Sequence, residues 1–402
     1  MAANVFIGEK LREALQFRGM RMAELARRTG ISRQSLSLYA NDENQPSAKN
    51  IITISTELGF PANFFMTEDG NKTSTQNIYF RSQASARKMA QNAEKIKVDY
   101  TARMYEVLQD YIDFPGLSLP DTMNFRNHIT EPENMEADQV RDDIEKLAAD
   151  VRKEWALGNG PIDNLQYLLA SHGIIVVGFS DVDNKIDAFS KKVFLKGRGA
   201  VYIIALATGV KPMTRLQFDM AHELGHILMH NWDDDNESLE KTQFNNLERQ
   251  ANMFASAFLL PADSFRQDIA PYANKLEYYR FLKGKWKVSM QAMMYRAREL
   301  NVISGSQFAY LMRKVSANHE RKCEKGDQPG ILNDTVFQGA IDLLIRGHYI
   351  TVEKLVNEFQ TRGICLNPRD MENLMGLRDG TLSMSPQILH FRPKLKRFEP
   401  NN

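Results

Sequence analysis

The chain has 402 residues, and its 51 Lys and Arg nearly balance its 50 Asp and Glu, leaving a net charge of +1. That length predicts two to four domains with a sizeable core, and the balanced charge means that any nucleic-acid contact has to come from a local patch. No apolar run of membrane length and no signal-peptide pattern is present, and the two cysteines, Cys323 and Cys365, are too far apart for metal spacing. The expectation is a cytoplasmic protein without a membrane partner.

Ile7 to Phe65 holds several short amphipathic helical patterns separated by Gly19, Gly30, Pro46 and Gly59. Met22 to Tyr39 has a helix-turn-helix layout. Ala26 is small where two helices cross, Gly30 permits the tight turn, Ile31 and Leu36 fill the core, and Ser32 caps the following helix. That second helix offers Arg33, Gln34 and Ser37, residue types that read base edges in the major groove. The stretch resembles the Cro/C1-type, or XRE, DNA-binding domain. The resemblance implies a five-helix domain over 1–66 that binds double-stranded DNA, as a homodimer on a palindromic site. Two features depart from it. Asp42 and Glu43 stand where a phosphate contact would be welcome, and residues 1–66 hold 8 Lys and Arg against 6 Asp and Glu. A helical protein-interaction module is the alternative.

Residues 67–160 read as a linker and helical connector. Thr67 to Thr75 is polar and contains Gly70 and Asn71. Ala84 to Ile112 predicts one long helix, and Glu136 to Trp155 another. Between Lys72 and Arg103 lie seven basic residues against Glu94 and Asp99, either a solvated helix face or a supplementary phosphate-contacting arm.

The densest chemistry lies further along. Ala200 to Ala205 is a short β-branched run, read as a strand whose exposed edge could take an extended polypeptide by strand addition. Arg215 to His230 follows with a helical pattern containing His222-Glu223-Leu224-Gly225-His226. On a helix, residues four apart point the same way, so both imidazoles can bind one Zn²⁺, and Glu223 can reach a metal-bound water as general base. Two buried, hydrogen-bonded histidines are the plain alternative. Gly225 costs about 1 kcal/mol in a helix interior, which predicts a close approach by another backbone or by substrate.

A catalytic zinc takes three protein ligands and keeps a fourth position open. His230 lies too far from His222, about 12 Å along a straight helix. Glu248 opens a second helical, apolar segment running to Pro261 and completes a His₂Glu set, with Asn252 one turn on to orient a ligand imidazole. The acidic run Asp233 to Glu237 between the two helices reads as a solvated loop.

Arg215-x-x-Phe218-x-x-Ala221-His222-Glu223-Leu224-Gly225-His226, followed by Glu248-x-x-Ala251-Asn252-x-Phe254-Ala255 and Leu259-Leu260-Pro261, resembles the ImmA/IrrE family of zinc metallo-endopeptidases. The resemblance spans about Pro161 to Asn318. It implies Zn²⁺ on His222, His226 and Glu248, catalysis by Glu223, and a helix-turn-helix repressor as the protein substrate, cut to release stress or mobile-element genes. His230 and Tyr202 are both candidates for the donor to the transition-state oxyanion. The peptidase domain is expected over 161–321, with Trp286, Val288, Met293, Tyr295 and Leu300 as a core stripe in its helical tail. Residues 322–402 are expected to form a small helical domain, either a plain cap or a second helix-turn-helix, sensor or dimerisation module.

The fold class is therefore mostly α with a small β-sheet: a helix-turn-helix domain, a helical connector, a gluzincin-like α+β zinc peptidase domain and a helical C-terminal unit. The function expected is a DNA-binding transcriptional regulator with endopeptidase activity. The rivals are a catalytically silent transcription factor using the peptidase fold as sensor or docking domain, and a repressor that cuts itself or a partner.

Overall fold

A computed structural model of the protein describes residues 5–68, 75–80, 88–121, 137–179, 188–195, 199–209, 211–232, 240–332 and 335–383. The chain is mostly helical with one small sheet. The N-terminal part comprises α1 (Gly8–Phe17), α2 (Met22–Thr29), α3 (Arg33–Ala40), α4 (Ala48–Leu58) and a 3₁₀ turn (Ala62–Met66). Gly30 ends α2 in the left-handed region at φ 71°, which residues with a Cβ rarely adopt. The Ser32 side chain then accepts from the Ser35 amide to start α3. Asp42 serves the fold itself: its carboxylate accepts from the amide of Gly8 at 2.6 Å, at the start of α1. An acid there suits a helix N-terminus, which accounts for its presence close to α3 in the chain.

The connector contributes β1 (Thr75–Phe80), α5 (Lys88–Leu108) and α6 (Ala137–Glu154). The strand was not anticipated, since the sequence predicted helix from Ala84 and only a linker before Thr75. Most of α5 is neither a solvated face nor a phosphate arm. Val98, Tyr100, Ala102, Met104, Tyr105 and Leu108 are buried. Lys97 pairs with Glu94 at 2.6 Å, and the buried Arg103 donates to the carbonyl of Arg362 at 3.2 Å. These two charges are thus matched within the protein; Lys72, Arg81, Arg87 and the side chain of Lys88 lie outside what the structure describes.

Next come α7 (Leu165–Ser171), β2 (Ile174–Phe179), β3 (Ala188–Leu195) and β4 (Gly199–Ala207). The sheet order is β1-β3-β4-β2, with β3 antiparallel to both β1 and β4, and β2 parallel to β4. The expectation that the 200–205 strand offers an exposed edge is therefore overturned. β4 is an inner strand, with Tyr202 opposite Lys192 on one side and Ile174 on the other. Its unbroken apolar run is the mark of a strand covered on both faces.

Side chains alternate across this sheet with period two. Ile174, Val176, Ala188, Tyr202, Ile204 and Leu206 pack toward α8 (Met213–Met229) and α9 (Lys241–Leu259). Ile175, Val177, Phe189, Val193, Val201 and Ile203 pack toward α5 and the N-terminal helices. The polypeptide continues through α10 (Ala262–Ile269), α11 (Leu276–Trp286), α12 (Met290–Glu299) and α13 (Gly305–Ala317). Trp286, Val288, Met293 and Leu300 are buried there, but Tyr295 is 53% exposed and does not belong to the expected core stripe.

The C-terminal helices α14 (Val336–Arg346), α15 (Val352–Thr361) and α16 (Pro368–Met375) share a core with α5 and the N-terminal helices. Arg18 at the end of α1 donates to both carboxylate oxygens of Asp370 in α16, at 2.8 and 2.6 Å, and also to the carbonyls of Leu58 and Gly59 at 2.7 and 3.0 Å. A planar guanidinium suits this multiple role, whereas a lysine could not span it. Tyr100 of α5 donates to Glu13 of α1 at 2.7 Å. Cutting the chain after residue 66 would uncover Phe17 and Tyr100, whose rings meet edge to face at 5.9 Å.

Candidate metal centre and DNA-reading helix

The α8–α9 pair builds a His/Glu cluster that could hold a metal. The two helices pack against each other at Gly225, where an added Cβ would lie 3.1 Å from Phe254 Cδ1 and 3.3 Å from Ala251 Cα. Of the two approaches that Gly225 anticipates, the structure displays that of another backbone. This proximity brings Glu248, near the middle of α9, to the two histidines of α8. Glu248 Oε2 lies 3.5 Å from His222 Nε2, Glu248 Oε1 lies 3.3 Å from His226 Nε2, and the two Nε2 atoms are 3.0 Å apart. The three residues are gathered so that one ligand atom from each lies within 4.8 Å of the others.

The donor set fits a metal. Four ligands at 2.0–2.1 Å around a tetrahedral ion lie about 3.3–3.4 Å from one another, close to the separations here. The outer nitrogens are occupied by acceptors. His222 Nδ1 meets Asn252 Oδ1 at 3.1 Å. His226 Nδ1 meets His230 Nδ1 at 2.8 Å, and His230 Nε2 meets Gln250 Oε1 at 3.1 Å. With the Gln250 oxygen as acceptor, His230 carries its proton on Nε2, so His226 carries its own on Nδ1. The same reasoning puts the His222 proton on Nδ1, and both Nε2 lone pairs then face the shared point. A positive charge suits the point between two lone pairs and a carboxylate, and a proton on the imidazoles supplies it as well: burial is the largest influence on the Glu248 carboxyl and raises it, but hydrogen bonds and charge from protonated His222 and His226 more than offset this and hold it well below the usual carboxylate range.

Glu223 is fully buried, and its Oε2 accepts from Ser190 Oγ of β3 at 2.6 Å. The sheet thereby fixes the carboxylate one residue from the His222 ligand position. Glu248 and Asn252 also line a cleft with Arg141, Glu145, Arg296 and Glu299, while His222, Glu223 and His226 are buried.

The two candidate oxyanion donors are both buried. The ring nitrogens of His230 face His226 and Gln250; burial first, and the nearby His226 second, push it well below the ordinary imidazole range. Tyr202 is buried with its ring against Trp232 at 5.2 Å. The sequence reading passed over Ser190 and Gln250. Gln250, two residues after Glu248, is a polar residue in an apolar helix and could have been questioned; Ser190 had no local signal. The acidic run 233–237 lies outside the described residues. Replacing His230 with Ala is expected to lower metal affinity about 10–100-fold while leaving all three ligands in place, as loss of a ligand's orienting partner does; competition with a chelating dye measures it.

In the N-terminal part of the chain, Arg33, Gln34 and Ser37 are exposed on α3, while Leu36, Tyr39 and Ala40 face the core. These three side chains share one solvent-facing surface at the start of the helix. Arg28 is paired with Glu24 at 2.5 Å and Glu57 at 3.2 Å, whereas Arg21 and Arg27 are exposed nearby.

A helix pair carrying a His/Glu cluster, beside an α/β partition and preceded by a helix-turn-helix, defines a peptidase-type domain fused to a DNA-binding module. Comparison with known families agrees: the IrrE N-terminal-like domain matches residues 171–298, and the helix-turn-helix domain matches residues 11–65. The first span holds β2 to β4, α8 and α9, and so every residue of the metal centre. No curated protein matches the chain. The protein thus joins an N-terminal XRE-type helix-turn-helix domain to an IrrE/ImmA-like peptidase-family domain. Among the described residues, no helix is long and apolar enough to cross a membrane.

Proposed function

We propose that this protein is a DNA-binding transcriptional regulator that is also a zinc-dependent endopeptidase, acting on a helix-turn-helix repressor or a related regulatory protein. The observation that carries it is the meeting of His222, His226 and Glu248, with Glu223 next in the chain to His222 and its carboxylate held by Ser190. His222, His226 and Glu248 would hold the ion. A zinc ion there supplies Lewis-acid polarisation of the scissile carbonyl and a water of lowered pKa. Glu223, oriented by Ser190, takes a proton from the attacking water and delivers it to the leaving amine. Asn252 and the His230–Gln250 relay keep the ligand imidazoles in the tautomer that presents Nε2 inward.

Arg33, Gln34 and Ser37 read base edges in the major groove, and exposed Arg21 and Arg27 are placed to neutralise phosphates. DNA binding then raises the local concentration of the peptidase near a repressor on the same promoter. The test incubates zinc-loaded protein, intact and with Glu223→Gln, with the regulatory proteins of neighbouring genes. Cleavage of one by the intact protein alone supports the reading. If neither form cuts any of them with the metal bound, the peptidase fold serves as a sensor or docking domain.

A further inference from the structure

The strand that fixes Glu223 is already covered. Ser190 lies on β3 and donates to Glu223, and the outer side of β3 is paired with β1. Tyr79 of β1 stands directly opposite Ser190, Ile78 opposite Lys191 and Phe80 opposite Phe189. An extended polypeptide entering a peptidase site is commonly held by main-chain bonds to a sheet edge. Here β4 has both sides paired, and the side of β2 that no strand pairs among the described residues is two strands away from β3. The edge beside Glu223 is therefore the outer edge of β3, and this chain's own residues 75–80 hold it.

Resting on the peptidase reading, we propose that the outer edge of β3 is a binding site for an extended polypeptide segment, and that β1 is its resident occupant, a strand of the same chain that leaves before substrate enters. Two features fit an occupant that can be released. The pairing slips between Thr75 and Ile78, which interrupts the ladder. The strand also lies between the 3₁₀ turn at Ala62–Met66 and α5, which both pack against α1. The elements before and after the strand are thus held on α1, so release of the strand leaves their packing in place.

The test uses the full chain with Glu223→Gln, so that nothing is cut, and adds Ile78→Pro together with Tyr79→Pro. Successive N–H groups point to opposite sides of a strand, so one of the two prolines removes a ladder bond. The probe is a fluorescein-labelled peptide of residues 73–82, read by anisotropy, alongside hydrogen exchange of the 189–191 amides. The double-proline protein should bind the peptide at least about tenfold more tightly than its parent, because the competent state is no longer masked, and those of the amides that face β1 should exchange faster until peptide is added. A second form keeps the natural strand and carries a site for a sequence-specific protease within 81–87; cutting it after folding should produce the same gain. Unchanged peptide affinity and unchanged exchange in both forms overturn the proposal. A gain in binding, with no hydrolysis by the forms that retain Glu223, leaves the occupied edge standing and sinks the peptidase reading instead.

Discussion

Replacing Glu223 with Gln is expected to keep about one zinc per chain and to slow polypeptide hydrolysis by about 10²–10⁴-fold, the usual contribution of a positioned general acid–base. The amide retains the volume of the side chain and can still meet Ser190, so the buried packing around α8 survives. What it lacks is the ability to take a proton. The variant thus separates chemistry from metal binding and from folding. Metal content by atomic absorption and the rate on a susceptible protein are the paired readouts; a rate within a few-fold of the parent would remove Glu223 from the mechanism. Ser190→Ala, which loosens the carboxylate without removing it, should fall between the two.

The second large effect is on DNA. Arg33→Ala and Gln34→Ala are each expected to lose about 1–3 kcal/mol of discrimination between the preferred duplex and a scrambled one. Neither side chain contributes to the core, so thermal stability should stay close to that of the parent. Arg27→Ala should instead weaken both duplexes alike and lower the dependence of affinity on salt. Titrations at two salt concentrations distinguish these cases. If Gln34→Ala weakens all sequences equally, α3 is not reading bases. Point variants are the appropriate tool, because the N-terminal helices share their core with α5 and α16 and truncation would expose it.

The metal centre was largely legible in the sequence because its spacing is local. Two histidines four apart on one helix have their relative directions set by helical geometry, whereas Glu248, which lies near the middle of α9, meets them through the docking of the two helices. Gly225 even signalled that something approaches closely. The support around the ligands was less legible because it comes from distant segments: Ser190 meets Glu223 only through the docking of β3 on α8, and Gln250 matters only because His230 faces it. Strand order shows the same limit. An apolar run identifies a buried strand, but nothing in Ala200 to Ala205 states which strands lie at its sides, and the edge expected there is filled by β3 and β2. The charges of α5 misled for a related reason. Lysines and arginines on a long helix imply solvent when read alone, yet Arg103 finds a carbonyl of the C-terminal helices, and Asp99 of the same helix reaches Lys191 on β3.

The central claim is that His222, His226 and Glu248 together hold one divalent ion, and metal content per chain tests it most directly. Protein purified without chelators and dialysed against metal-free buffer should retain about one zinc, or another divalent ion in its place, per chain. His222→Ala, His226→Ala and Glu248→Ala should each lose most of it, while Glu223→Gln should not. Full metal retention by folded His222→Ala, judged by an unchanged circular dichroism spectrum, would contradict the assignment of the centre.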